Sequence, residues 1–72
     1  MKTSNLAVVW FANDVTGYVY KTNETMATII EPGYFDTIKH ITNVGDQMYV
    51  VASDDVKLFY VKSLEPVELK EL

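Results

Sequence analysis

Cysteine is absent from this 72-residue chain, and with it go disulfides, thiolate nucleophiles and every Cys-based zinc or iron–sulfur site. Histidine occurs once, as His40, which removes the His-rich metal sites as well. Arginine is missing altogether: six lysines face ten acids, for a net charge of −4. Nucleic-acid recognition rests on a cationic footprint and on the bidentate guanidinium for base edges, so this composition excludes it as an expectation. No apolar run approaches the roughly 18 residues that would span a bilayer. Leu6 to Ala12 is seven residues long, carries Trp10 and Phe11, and is not followed by a small-residue cleavage pattern. It reads as strand core, and the expected site of synthesis is the cytoplasm of the producing cell, with no membrane partner.

There is also no Gly-rich phosphate loop, no His-Glu-x-x-His and no serine flanked by the glycines of a nucleophile elbow. Ser53, His40 and Asp46 form a triad only on paper. Asp46, Asp54 and Asp55 would approach a cation only if their two turns met at one end. They match no EF-hand spacing, and turn carboxylates that bond nearby backbone are the expected reading. His40 is expected on a solvated surface. The chain is therefore expected to be no enzyme and to use no cofactor and no metal.

What is present is a β vocabulary: Val, Ile, Thr, Tyr, Phe and Trp dominate. Leu6–Ala12 is predicted as a first strand, apolar at every position. Asn13-Asp14 punctuates, and a loop of three to five residues ending near Gly17 leads into a second strand, Gly17 to Lys21. There Tyr18 and Tyr20 share one face and Val19 takes the other. Thr25–Glu31 is a third candidate strand, stopped by Pro32 and Gly33. Phe35, Ile38 and Ile41 or Thr42 recur at helical spacing, so Asp36–Thr42 is predicted as a short helix with Asp36 as its N-cap. Val44-Gly45-Asp46 turns into 47–52. Ser53-Asp54-Asp55 then turns back into Val56–Lys62, giving a hairpin. A two-residue turn there would put Asp55 at positive φ, so either the loop is longer or Asp55 is strained. Pro66–Lys70 is predicted as an edge strand. The expected architecture is a single mainly β domain over 1–72, a small barrel or sandwich of five to six short strands with one short helix. Residues 1–5 and 70–72 are expected to fray.

At this length folding hides only about 60% of the surface the unfolded chain exposes. With neither disulfide nor metal available, self-association into a homo-oligomer is the expected source of further burial. The nine aromatics fall on both faces of the strands, which requires either a closed sheet or outward-pointing rings. Tyr and Trp are enriched at interface hot spots, and Trp10, Phe11, Tyr18 and Tyr20 are the expected protein-contact residues.

One resemblance reaches across residues 18 to 61. The runs Tyr20-Lys21-Thr22-Asn23-Glu24-Thr25-Met26-Ala27, Gly33-Tyr34-Phe35-Asp36, Val44-Gly45-Asp46 and Val50-Val51-Ala52-Ser53-Asp54 resemble small proteins encoded among the virion genes of tailed bacteriophages. Those proteins carry an aromatic strand, a Gly-Tyr-Phe turn opening a short helix, and a Val-Gly-Asp turn opening a hairpin. Their hairpin turn usually reads Asp-Gly where this chain has Asp54-Asp55. The strand Leu6–Ala12 and the tail after Lys62 have no counterpart. The resemblance implies a virion-associated structural role, as a head-decoration, head-fibre or accessory protein, bound to other virion proteins and without catalysis. Two other classes fit the same composition. One is a small acidic inhibitor of a host or defence protein; the other is an SH3-like adaptor whose tyrosines form a peptide groove.

Overall fold

A computed structural model describes residues 1–72. Its frame is one five-stranded sheet: β1 (Leu6–Ala12), β2 (Val15–Lys21), β3 (Gln47–Val51), β4 (Val56–Leu64) and β5 (Val67–Glu71) lie side by side in chain order. The mainly β expectation therefore holds, with a single short helix, α1 (Met26–Ile29). The sheet is open, with β1 and β5 as its edges.

All neighbours are antiparallel except β2 and β3, which pair in parallel from Gly17↔Gln47 to Lys21↔Val51. Parallel neighbours cannot be joined by a tight turn. Residues 22–46 supply the crossover, and that requirement overrides the β-branched look of Thr25–Glu31. The expected third strand is instead α1, whose Met26 and Ile29 are three apart and both buried. Its N-terminus is capped from a distance, since Asp54 Oδ1 accepts from Met26 N–H at 2.9 Å.

The predicted helix at Asp36–Thr42 shrinks to a 3₁₀ turn at Asp36–Ile38 and looser turns beyond it. Its buried stripe runs through Phe35, Ile38 and Thr42, while Ile41 is exposed. Asp36 is not its N-cap. The carboxylate reaches across to β5, where Oδ1 accepts from Val67 N–H at 2.8 Å. Gly33, held at φ +86°, donates its N–H to Val67 O at 3.1 Å. Both backbone groups of Val67 are thus taken by one four-residue element.

The first hairpin loop is shorter than expected, and the second takes the longer of its two expected forms. Asn13 and Asp14, at φ +53° and +63°, form a two-residue turn directly joining Ala12 to Val15, the primed geometry that matches strand twist. Asp55 escapes positive φ because its loop is longer: β3 ends at Val51 and β4 starts at Val56. Residues 3–5 form a 3₁₀ turn, and Lys70 and Glu71 lie within β5.

The crossover covers one face of the sheet. Tyr18, Tyr20, Met48, Val50 and Phe59 point inward and pack against Met26, Ile29, Phe35 and Ile38. Tyr20, Tyr34 and Phe35 meet edge to face, with centroids 4.9 to 6.1 Å apart. Only 14 of the 72 residues are buried, so this single layer is the whole core.

Candidate protein-contact surface

Strand alternation sends Gly17 and Val19 of β2, Tyr49 and Val51 of β3, and Val56, Leu58 and Tyr60 of β4 to the outer face. The crossover does not reach them: Tyr49, Val56 and Leu58 are exposed and Val19, Val51 and Tyr60 half-buried. β1 adds Trp10, which lies opposite Gly17, and Val9, which has no partner on β2 because a bulge separates Val8 from Trp10. Trp10, Tyr49 and Leu58 stay 41–44% exposed, a contiguous apolar patch where a soluble domain would ordinarily present alternating polar residues. A shallow cavity of about 210 Å³ sits at its centre, with Val9, Trp10, Val19, Tyr49, Leu58 and the polar Gln47 in its lining.

Gly17 makes this cavity possible. A Cβ at that position would overlap the Trp10 indole at Cε2, Nε1 and Cδ2. The ring therefore lies flat on the β2 backbone, and the glycine is required by close approach rather than by its dihedral angles.

The four expected contact residues divide. Trp10 and Phe11 are exposed, Phe11 at 66%. Tyr18 and Tyr20 are core residues, 5% and 0% exposed, and cannot meet another chain while the fold is intact. Their hydroxyls are also occupied. Tyr18 donates to Ile41 O at 3.4 Å, and Tyr20 lies 3.0 Å from the Tyr34 hydroxyl. A peptide groove built on these two tyrosines is therefore ruled out. Sequence reasoning missed Tyr49 and Leu58, although both sit on one face of a well-alternating hairpin, beside Val51, Val56 and Tyr60.

The polar side chains that attract a chemical reading are engaged in holding the fold. Asp46 is buried, and its carboxylate accepts from Thr16 N–H at 3.1 Å, Thr42 Oγ1 at 2.9 Å and Asn43 N–H at 3.0 Å. Asp54 serves Met26, and Asp55 accepts from Val56 N–H at 2.8 Å. Asp46 precedes β3 whereas Ser53, Asp54 and Asp55 follow it, so neither a cation site nor a Ser/His/Asp set converges. No group of three or more His, Asp or Glu side chains is arranged to hold a metal ion. No helix is long and apolar enough to cross a membrane.

One hydroxyl chain runs along the inner layer. Lys2 N–H donates to Tyr20 Oη at 3.1 Å, and Tyr34 donates its proton to the Glu24 carboxylate. Tyr20 must then donate to Tyr34, since each phenol has one proton. Desolvation by burial, followed by the bonds to Glu24 and Tyr20, pushes the Tyr34 phenol well above its ordinary value of 10.0. A folded pKa raised above the unfolded one adds stability that is complete below about pH 10 and lost as pH climbs beyond it. Tyr34→Phe is expected to cost about 1 kcal/mol at neutral pH. The gap from the native protein should narrow in urea melts above about pH 10, where the unfolded phenol ionises; a gap constant with pH would contradict this assignment.

Compared with known proteins, the chain matches no family model, no curated protein and no solved structure.

Proposed function

We propose that this protein is a non-enzymatic structural subunit of a bacteriophage virion, which self-associates and binds a neighbouring shell or fibre protein. The observation that carries the reading is the bare outer face. A two-layer domain buries one side of its sheet under the crossover, and here the other side leaves Trp10, Tyr49 and Leu58 exposed. Trp10, Tyr49 and Leu58 are the residues that would anchor a neighbour; Phe11 is exposed on the opposite side of β1. Each subunit offers only a modest patch, and a repeating shell compensates for modest single contacts through multivalency.

The motifs that resemble those of phage virion proteins are compatible with this role. Gly33 and Asp36 hold Val67, Phe35 fills the core, and Gly45 and Asp46 bond both backbone groups of Val61, at 2.9 and 2.8 Å. They are fold determinants with no spare acid or base, as a structural subunit requires. Six lysines without arginine argue against a nucleic-acid partner.

Counting peptides by mass spectrometry in purified virions of the phage that encodes the chain tests the reading. Fixed copy numbers per particle, together with an oligomer by light scattering, are expected. A protein missing from virions that co-purifies with one host protein would instead favour the inhibitor class.

A further inference from the structure

The two edges of the sheet are treated in opposite ways. β5 is short, follows Pro66 and carries Glu68, Lys70 and Glu71. Proline, charge and bulges are among the devices by which native sheets keep an edge from pairing. β1 has one bulge, at Val9, but neither proline nor charge: all seven residues are uncharged and apolar, and all but Leu6 are exposed. It packs on β2 and makes no substantial contact with any other element. Val8 and Phe11 lie on the inner side, where the crossover does not reach, and are 64% and 66% exposed. One strand is thus uncovered on both faces and along its free edge.

We infer that β1 pairs antiparallel with β1 of a second copy across a two-fold axis near Val9, joining two five-stranded sheets into one. This deepens the self-association proposed above by naming the surface that carries it. Charge selects both occupant and direction. Exposed Lys2 precedes β1, separated from it by the 3₁₀ turn Thr3–Asn5, and exposed Asp14 lies two residues past its end. Antiparallel self-pairing brings the lysine-bearing end of each strand towards the aspartate-bearing end of the other, twice per dimer; parallel pairing would bring like ends together. The chain carries a net −4, and β1 is an uncharged segment along which two acidic copies approach without repulsion. The bulge at Val9 does not block the edge. It divides β1 into Leu6–Val8 and Trp10–Ala12, and across the axis each segment meets the other kind. The pairing is isologous and closes at two copies. It also brings the two outer faces side by side with a Trp10 near the axis on each, doubling the apolar surface offered to a third protein.

Light scattering over a dilution series tests the pairing with two variants. Val8→Lys combined with Phe11→Lys charges the edge at side chains already in solvent, so circular dichroism should not change while dimerisation weakens by about a hundredfold. Leu58→Lys, on the outer face, should leave the dimer intact. Val9→Cys, in a chain with no other cysteine, should form a disulfide-linked dimer on mild oxidation, because residue 9 meets its own copy at the axis. A dimer broken by Leu58→Lys and indifferent to the edge variant overturns the pairing, as does a native protein that stays monomeric throughout. The two readings fail separately. An edge-dependent dimer absent from virions sinks only the virion role, and a virion protein whose dimer ignores β1 sinks only the edge pairing.

Discussion

Asp46→Ala is expected to cost about 3–5 kcal/mol and to leave the domain largely unfolded at ambient temperature. A chain of this length holds roughly 5 kcal/mol in total, so little would remain. The loss does not come from packing, since alanine is smaller and apolar. It comes from three donors left behind: the Thr16 and Asn43 N–H groups and the Thr42 hydroxyl, in a region where Thr42 is 3% and Asp46 1% exposed. The position of these donors raises the stakes. Thr16 is in β2, Thr42 and Asn43 close the crossover, and the Asp46 backbone bonds Val61 of β4. One residue therefore ties β2, the end of the crossover and β4 together where the parallel β2–β3 pairing begins at Gly17↔Gln47. Asp46→Asn separates shape from charge. Its carbonyl can serve Thr42 and Asn43 from the Oδ2 position, but its amide then faces the Thr16 N–H, and about 2 kcal/mol should be lost. Urea melts followed by circular dichroism give both values. Native-like stability in Asp46→Ala would mean that water reaches these donors and that the clamp is not what sets the register.

The local parts of this fold were legible because their signals are local. Alternation in 47–51 and 56–62 marks a hairpin wherever the hairpin is placed, and the unbroken apolar run of Leu6–Ala12 marks a strand. The failures share a cause in distance. Thr25–Glu31 has strand-like residues but must cross from β2 to a parallel β3. The cap of its helix comes from Asp54, 28 residues away; only the spacing of Met26 and Ile29 hinted at a helix. Asp36 looked like a local cap and instead bonds Val67, 31 residues on. The site was half legible for a different reason. Alternation correctly put Tyr18 and Tyr20 on one face, but with apolar residues on both faces nothing local says which one the crossover covers. A tyrosine suits a core as well as an interface when its hydroxyl finds a partner, and these two do. Trp10 and Phe11 belong to the strand that no other element covers, so their exposure follows from the fold's topology rather than from their residue type.

That topology makes Gly17→Val the second large effect. Replacing a glycine inside a strand by a β-branched residue ordinarily stabilises by up to about 1 kcal/mol. Here the sign should reverse, with about 3 kcal/mol lost, because the new Cβ would occupy the space of the Trp10 indole. The ring must leave the sheet, and as the only tryptophan it reports its own displacement through a red-shifted emission. In the Trp10→Ala background the same substitution meets no ring and should recover its ordinary stabilising sign. The coupling between the two positions is therefore expected at about 3 kcal/mol in a double-mutant cycle. Additive values, or an unmoved emission maximum in Gly17→Val, would mean that the indole does not rest on the glycine. The cycle also bears on function. If the indole is held flat by Gly17 as an anchor for a neighbour, Gly17→Val should weaken incorporation into particles even at temperatures where the domain remains folded. An effect on stability alone would leave Trp10 as a cover for its own sheet, and the contact surface would then centre on Tyr49 and Leu58.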